Sequence, residues 1–313
     1  MFAPIPTTTG MQHRWSPDQL RDERSWCYQA SAQLIGELSI LERSHHARVD
    51  RIDPQSIQPP NFPALFKLAG KLKEQLGSQG LGVAKLSGLL PRASHIGTAS
   101  IAFASAMGTL LEPNGQSHPI EDRRAWGRTQ TILASQACKS IGFQTDSTVL
   151  DVVPDIISLS YIRNAVGGNI RLVSMAPVYE TLMQQPHAMI DRLHRSFVRT
   201  IVTPSTRQDQ QRLLGNRFPI FSADPQTQKL TFRYMRPSIE QGQQLSAQPI
   251  DPWTYQALEW LDGVLSDPEF FYEHRLMPGE ILWVDNRDIA HAHTSYRDNP
   301  NRQRLLLRTW ISR

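Results

Sequence analysis

Cysteine is scarce: Cys27 and Cys138 are the only two in 313 residues, far apart and in no Cys-x-x-Cys pattern. That argues against a disulfide-stapled fold and a cysteine zinc site, and for a reducing, cytoplasmic compartment. No uncharged apolar run approaches the ~18 residues a membrane span needs. The opening segment MFAPIPTTTGMQHRW lacks the charged start and apolar core of a secretory signal. The formal charge of +4 comes from scattered arginines, with no basic run interleaved with aromatics, so nucleic acid is not an expected partner. Internal repeats and low-complexity linkers are also missing, and the chain reads as one domain, 1–313.

What is present is a globular composition, 40% hydrophobic, 20% charged and 8% aromatic, enough to bury a sizeable core. Ser16-Pro17-Asp18 is a helix start, and the apolar spacing after it predicts one amphipathic helix through residue 43. FPALFKLAGKLKEQL and SIAFASAMGTLLEP also read as helices, with LGVAKLSGLL as a strand between them. Beyond residue 137 the texture changes. SLSYIRNA and NIRLVSM are strands on either side of the Gly167-Gly168 turn, and PVYETLMQQPHAMIDRLHRSFVR is helical. FPIFS, KLTFRYMR, FFYEHRLMPGEILWVDN and QRLLLRTWIS are short strands, interrupted by the helix DPWTYQALEWLDGVLSD. Helices followed by short strands predict an α+β, mainly β fold, an antiparallel core backed by helices. Segments 114–135 and 203–217 are polar and turn-rich, as lid loops are.

Chemistry concentrates near the C-terminus, in PGEILWVDNRDIAHAHTSYRDNPNRQRLLLRTWISR. His291 and His293 share a face if the strand continues through them. Arg304 and Arg308 share a face of a second apolar strand, and an arginine among leucines needs an anion to grip. His45, His46, His118 and His274 have no spacing that suggests a site. Upstream, GFQTDS places Gln144 and Asp146 at the end of a strand. Thr-Asp-Ser is also good turn chemistry, so Asp146 reads as a turn cap or as a ligand.

Together these segments resemble the TauD/TfdA (clavaminate-synthase-like) superfamily of iron(II)- and 2-oxoglutarate-dependent oxygenases. Phe143-Gln144-Thr145-Asp146 matches the motif of an apolar residue, His, a small residue and Asp or Glu. Pro154-Asp155, NAVGGNIRLVS and PGEILWVDNRDIAHAHT with RQRLLLRTW match the later motifs in order and spacing, over roughly residues 60–313.

The resemblance implies a double-stranded β-helix, a distorted jelly roll, over 60–313 with helical insertions, and a helical extension over 1–60. It implies iron(II), 2-oxoglutarate and dioxygen as reactants: three protein ligands leave open positions for the cosubstrate chelate and dioxygen. By position, Gln144, Asp146 and His291 are the metal ligands, and Asn286 shapes the turn before His291. Arg304 and Ile170 occupy the cosubstrate positions, and Arg308 and His293 face a substrate. Gln144 stands where the family has a histidine, and Ile170 where members often have a threonine. An amide oxygen is a weak donor beside imidazole, so Gln144 is either a true ligand or a polar filler.

The function implied is oxidation of a small, acidic or amino-acid-like metabolite, as in secondary metabolism. The alternative is an altered or inactive oxygenase fold acting as a binding subunit or as partner of an active homologue. The substrate, and whether the chain forms a homo-oligomer or pairs with a homologue, stay open.

Overall fold

The computed structural model describes residues 13–46, 52–111, 120–122, 141–146, 153–200, 210–223, 229–298 and 303–313. In chain order its strands are β1 (Cys27–Gln29), β2 (Val83–Ser87), β3 (Thr109–Leu111), β4 (Ile120–Asp122), β5 (Ile141–Gln144), β6 (Ile156–Arg163), β7 (Val166–Gly167), β8 (Ile170–Ser174), β9 (Ser196–Val198), β10 (Arg217–Pro219), β11 (Phe221–Ala223), β12 (Leu230–Phe232), β13 (Phe271–His274), β14 (Ile281–Asp285), β15 (Ile289–His293), β16 (Tyr296–Arg297) and β17 (Leu305–Ser312). Its helices are α1 (Pro17–Arg21), α2 (Ala32–Ser44), α3 (Pro63–Leu76), α4 (Ala93–Met107), α5 (Met175–Leu182), α6 (His187–Leu193), α7 (Gln210–Gly215), α8 (Arg236–Leu245) and α9 (Pro252–Leu265).

Two sheets organise the molecule. The larger runs β1-β2-β14-β6-β17-β3, with β4 also on β17; the smaller runs β13-β8-β15-β5. Consecutive strands alternate between them: β5 lies in the smaller sheet, β6 in the larger and β8 in the smaller, then β13, β14, β15 and β17 repeat the exchange. That alternation is the double-stranded β-helix. Leu159 and Leu282 of the larger sheet and Leu172 and Ile289 of the smaller pack in one cluster, which fills the space between the sheets. Side-chain alternation explains the rest of the layering. On β14, Leu282 and Val284 enter this inner core, while Ile281 and Trp283 pack outward under α2, α3 and α4. A strand covered on both faces has no polar side to show, hence the unbroken ILWV. Helices α5, α6, α8 and α9 cover the outer face of the smaller sheet through Val173, Ala290 and Phe143.

The long helix expected over 15–43 is broken. Trp26 is 1% exposed, its indole donates to Leu20 O at 2.8 Å, and Cys27–Gln29 pairs in parallel with β2 before Ser31 caps α2. Sheet pairing and burial of Trp26 override the helical spacing. The helix expected to run through Arg199 likewise stops at Leu193, and Ser196–Val198 pairs with β10. Helix α8, of mostly polar composition, was not expected at all. The candidate lid segments lie largely outside the described residues; of them β4, α7 and the start of β10 are described. Among the described residues no helix is long and apolar enough to cross a membrane.

Candidate active site

The Asp-Asn that ends β14 links the two sheets. Asn286 is fully buried; its side-chain oxygen accepts from Asp146 N at 2.7 Å, and its amide donates to Asp146 O and Pro154 O, both at 3.1 Å. One side chain thus ties the GFQTDS segment to the Pro-Asp segment and to the crossing into β15. Asp155, the other half of that motif, accepts from Arg287 Nε at 2.5 Å and from Arg313 N at 2.9 Å.

Strand register brings the candidate ligands together. Across β5 and β15, Gln144 is the partner of His291, and across β8 and β15, Ile170 is the partner of His293. Residues opposite one another in a ladder share a face, so these four side chains form one wall. The facing wall comes from the larger sheet, with Tyr161 of β6, Arg304 just ahead of β17, and Leu306 and Arg308 within it. The walls line one pocket, bordered by Gln144, His291, His293, Ile170, Arg304 and Arg308 among others. Asp146, 2% exposed, adjoins this pocket through its contacts to His291 and Arg308.

Both oxygens of Asp146 are engaged. Arg308 Nη1 donates to Oδ1 at 2.6 Å, and Trp310 Nε1 donates to Oδ2 at 2.8 Å. Burial alone would raise the pKa of this carboxyl. The guanidinium of Arg308, with His291 and Trp310, outweighs burial and holds it well below the usual carboxylate range. His291 Nε2 lies 3.4 Å from Asp146 Oδ1. Neither nitrogen of His291 has a hydrogen-bond partner among the described residues, and neither does Gln144 Oε1, although all three atoms are buried. Burial pushes the His293 imidazole down to about 4, with Arg304, Arg308 and His291 adding to the effect and a bond to Thr294 O opposing it, so it is neutral near pH 7. Arg304 is 7% exposed; its backbone N–H donates to Asp298 Oδ1 at 2.8 Å and its Nη2 to Tyr161 Oη at 2.9 Å.

Every candidate residue therefore lies in or against one pocket. Two residues that touch them were missed, Trp310 on Asp146 and Tyr161 on Arg304. Trp310 stands two positions after Arg308, so strand parity was enough to place it on the same face. Tyr161 had no signal beyond its parity in β6.

A carboxylate, an imidazole and paired arginines around one pocket of a double-stranded β-helix are the frame of an iron(II)- and 2-oxoglutarate-dependent oxygenase. The chain belongs to the Taurine catabolism dioxygenase TauD, TfdA family, whose sequence profile matches residues 53–310. It is an enzyme of this class, using iron(II), 2-oxoglutarate and dioxygen. FR-33289 synthase of Streptomyces rubellomurinus (strain ATCC 31215) is 23% identical, over 95% of this chain and 88% of that protein. Among solved structures, asparagine oxygenase with Fe(II), 2S,3S-3-hydroxyasparagine and succinate superposes with a TM-score of 0.66 at 16% identity, covering 92% of this chain and 93% of that one. The non-haem iron oxygenase OrfP with Fe, succinate and (3R,4R)-dihydroxy-L-Arg gives 0.65 at 14% identity, covering 91% and 94%.

The donor set fits iron with one weak member. Two donors bound at right angles to one ion, each at about 2.1 Å, lie about 3 Å apart. The 3.4 Å between His291 Nε2 and Asp146 Oδ1 is within a small adjustment of that. A carboxylate oxygen has two lone pairs, so the bond from Arg308 leaves room for a metal on Oδ1. With glutamine at 144, no cluster of three His, Cys, Asp or Glu forms among the described residues. Gln144, the partner of His291 across β5 and β15, offers an amide oxygen with no hydrogen bond among the described residues.

Proposed function

We propose that the chain oxidises a C–H bond of a small acidic or amino-acid-like metabolite, with iron(II) held by Asp146, His291 and, weakly, Gln144. The observation that carries this reading is His291: a buried imidazole with neither nitrogen hydrogen-bonded among the described residues, its Nε2 3.4 Å from a buried carboxylate. Such an arrangement is costly unless a ligand completes it. When bound, iron(II) with 2-oxoglutarate supplies the oxidation by dioxygen. The protein's part is to hold and orient. Trp310 and Arg308 fix the Asp146 carboxylate as an anion, Arg304 takes the far carboxylate of 2-oxoglutarate, and Arg308 and neutral His293 face the substrate side.

The asparagine oxygenase and OrfP structures contain hydroxylated amino acids, and an amino acid would suit a wall carrying two arginines. The chain is read as one oxygenase domain, since Leu38 of α2 and Ile57 share a core with Trp283 of β14. A second reading, a binding protein that has lost the chemistry, is favoured by Gln144 and Ile170 lying on the same wall. The test is anaerobic loading with iron(II), then exposure to oxygen with 2-oxoglutarate and a panel of L-amino acids, measuring succinate. Substrate-dependent succinate is expected; none from folded protein under any condition refutes the oxygenase reading.

A further inference from the structure

Ile170 leaves a gap in the pocket's chemistry. It is 3% exposed, lines the wall beside His293, and offers only hydrocarbon. A carboxylate buried against it with one guanidinium for company would keep part of its hydrogen-bonding capacity unmet.

The opposite wall holds the missing group. Tyr161 is 2% exposed, lines the same pocket, and sits across from Leu306 in the β6–β17 ladder. Its backbone is fixed on both sides by the Pro278-Gly279 turn: Tyr161 N donates to Glu280 O at 2.8 Å and Tyr161 O accepts from Gly279 N at 2.9 Å. Gly279 turns at φ +91°, where a Cβ would meet Leu89 O at 2.5 Å. The Arg304 guanidinium lies near two rings, 5.4 Å from the centroid of Tyr161 and 4.9 Å from that of Tyr296. It also donates to the Tyr161 oxygen at 2.9 Å.

A phenol has one hydrogen to give as well as lone pairs to receive with. Arg304 uses the receiving side, and among the described residues the hydroxyl hydrogen meets no other acceptor. Donation from a cation polarises the O–H and makes it a better donor. The hydroxyl therefore stands beside the guanidinium, in the same pocket, with its hydrogen unclaimed.

We propose that Tyr161 gives the second hydrogen bond to the far carboxylate of 2-oxoglutarate, replacing from the larger sheet the hydroxyl that Ile170 withholds from the smaller. This rests on the reading of Arg304 as the cosubstrate anchor. Arginine and tyrosine then form one recognition unit: the ring positions the guanidinium and the hydroxyl shares its anion. Selection for a dicarboxylate over a simple 2-oxo acid depends on both.

The test is calorimetric titration under anaerobic conditions, with excess iron(II), of wild type, Tyr161→Phe and Tyr161→Phe/Ile170→Thr. The titrants are 2-oxoglutarate and 2-oxovalerate, which has the same chain length but no far carboxylate. Phenylalanine keeps the ring and the packing, so folding is preserved. A hydrogen bond to a charged group is worth enough that Tyr161→Phe should weaken 2-oxoglutarate about tenfold or more. Its affinity for 2-oxovalerate should stay unchanged, and threonine at 170 should recover part of the lost 2-oxoglutarate affinity. Equal 2-oxoglutarate binding by Tyr161→Phe and wild type overturns the proposal, and so does equal weakening of both titrants, which would mean the ring only supports the site. If wild type binds neither titrant, the oxygenase reading itself fails and takes this one with it.

Discussion

Replacing Asn286 with alanine tests whether one buried amide assembles the site. The side chain makes three hydrogen bonds, from Asp146 N at 2.7 Å and to Asp146 O and Pro154 O at 3.1 Å each. Alanine leaves an N–H and two carbonyls without partners in a region where Asn286 is 0% exposed. Each buried group left unsatisfied costs about 1–3 kcal/mol. Water entering the vacated space recovers some of that, so the expected loss is about 3–5 kcal/mol. That is a large share of the 5–15 kcal/mol typical of a folded domain. The assay is urea unfolding of metal-free protein, with Asn164→Ala as control. Asn164 makes one backbone hydrogen bond, to Leu276 O at 2.8 Å, and its loss should cost about 1 kcal/mol. Where Asn286→Ala still folds, its iron(II) affinity should fall, because the segment carrying Asp146 has lost its tie to β14. A loss no larger than the control's refutes the reasoning.

Gln144→His should tighten iron(II) at least tenfold, since imidazole replaces a neutral amide oxygen; anaerobic titration measures it, and unchanged affinity would mean residue 144 does not reach the metal. Recovered binding without any oxidation of substrate would favour the binding-protein reading. His291→Leu should abolish iron binding while changing the stability of the metal-free protein by no more than about 1 kcal/mol, because removing the unpartnered buried Nδ1 offsets the loss of the 3.4 Å approach to Asp146; a loss of several kcal/mol in urea would refute that balance. Glu42 gives a pH test: burial alone raises its pKa, but Arg92, Ser94 and His95 outweigh it and bring it to about 2, from 4.5. A folded pKa below the unfolded one means stability present above about pH 4.5 and lost as pH falls toward 2. Glu42→Gln should thus be less stable near pH 7 by about 3 kcal/mol or somewhat less, with the gap closing through that window; a gap independent of pH refutes the coupling.

What was legible in the sequence follows from what two-residue and 3.6-residue periods encode. The β14–β17 region could be read because strand parity fixes faces: His291 with His293, and Arg304 with Arg308, end in one pocket. Motif order gave the jelly roll. Parity could not say which strand lies opposite which. The pairing of Gln144 with His291 and of Ile170 with His293 depends on two sheets exchanging strands. Tyr161 was invisible for that reason, since its partner Arg304 is 143 positions away. Helical spacing failed where sheet contacts prevail. Cys27–Gln29 carries an acceptable helix pattern, yet its backbone completes the edge of β2. The polar run of α8 shows the reverse, a helix with little apolar surface that is anchored by polar contacts: Arg236 to Glu259 and Asp262, Val198 N to Gln243 Oε1 and Thr200 to Ser238 O, beside buried Ile239.

Retention of Asp146 is weaker evidence for a metal than it first looks. With Arg308 on one oxygen and Trp310 on the other, its charge is already balanced and hydrogen-bonded. A pair of that kind persists as structure, because deleting either member strands the other. Gln144 does not alter this balance, as an amide and a neutral imidazole carry the same charge; what it lowers is donor strength alone. His291 differs from both. Its ring is buried, Nδ1 has no partner among the described residues, and Nε2 has the 3.4 Å approach to Asp146 Oδ1 and no hydrogen bond. A site that had given up its ligand would have no use for that open Nδ1. The histidine, rather than the aspartate or the glutamine, is therefore the residue whose presence argues that this pocket still binds something.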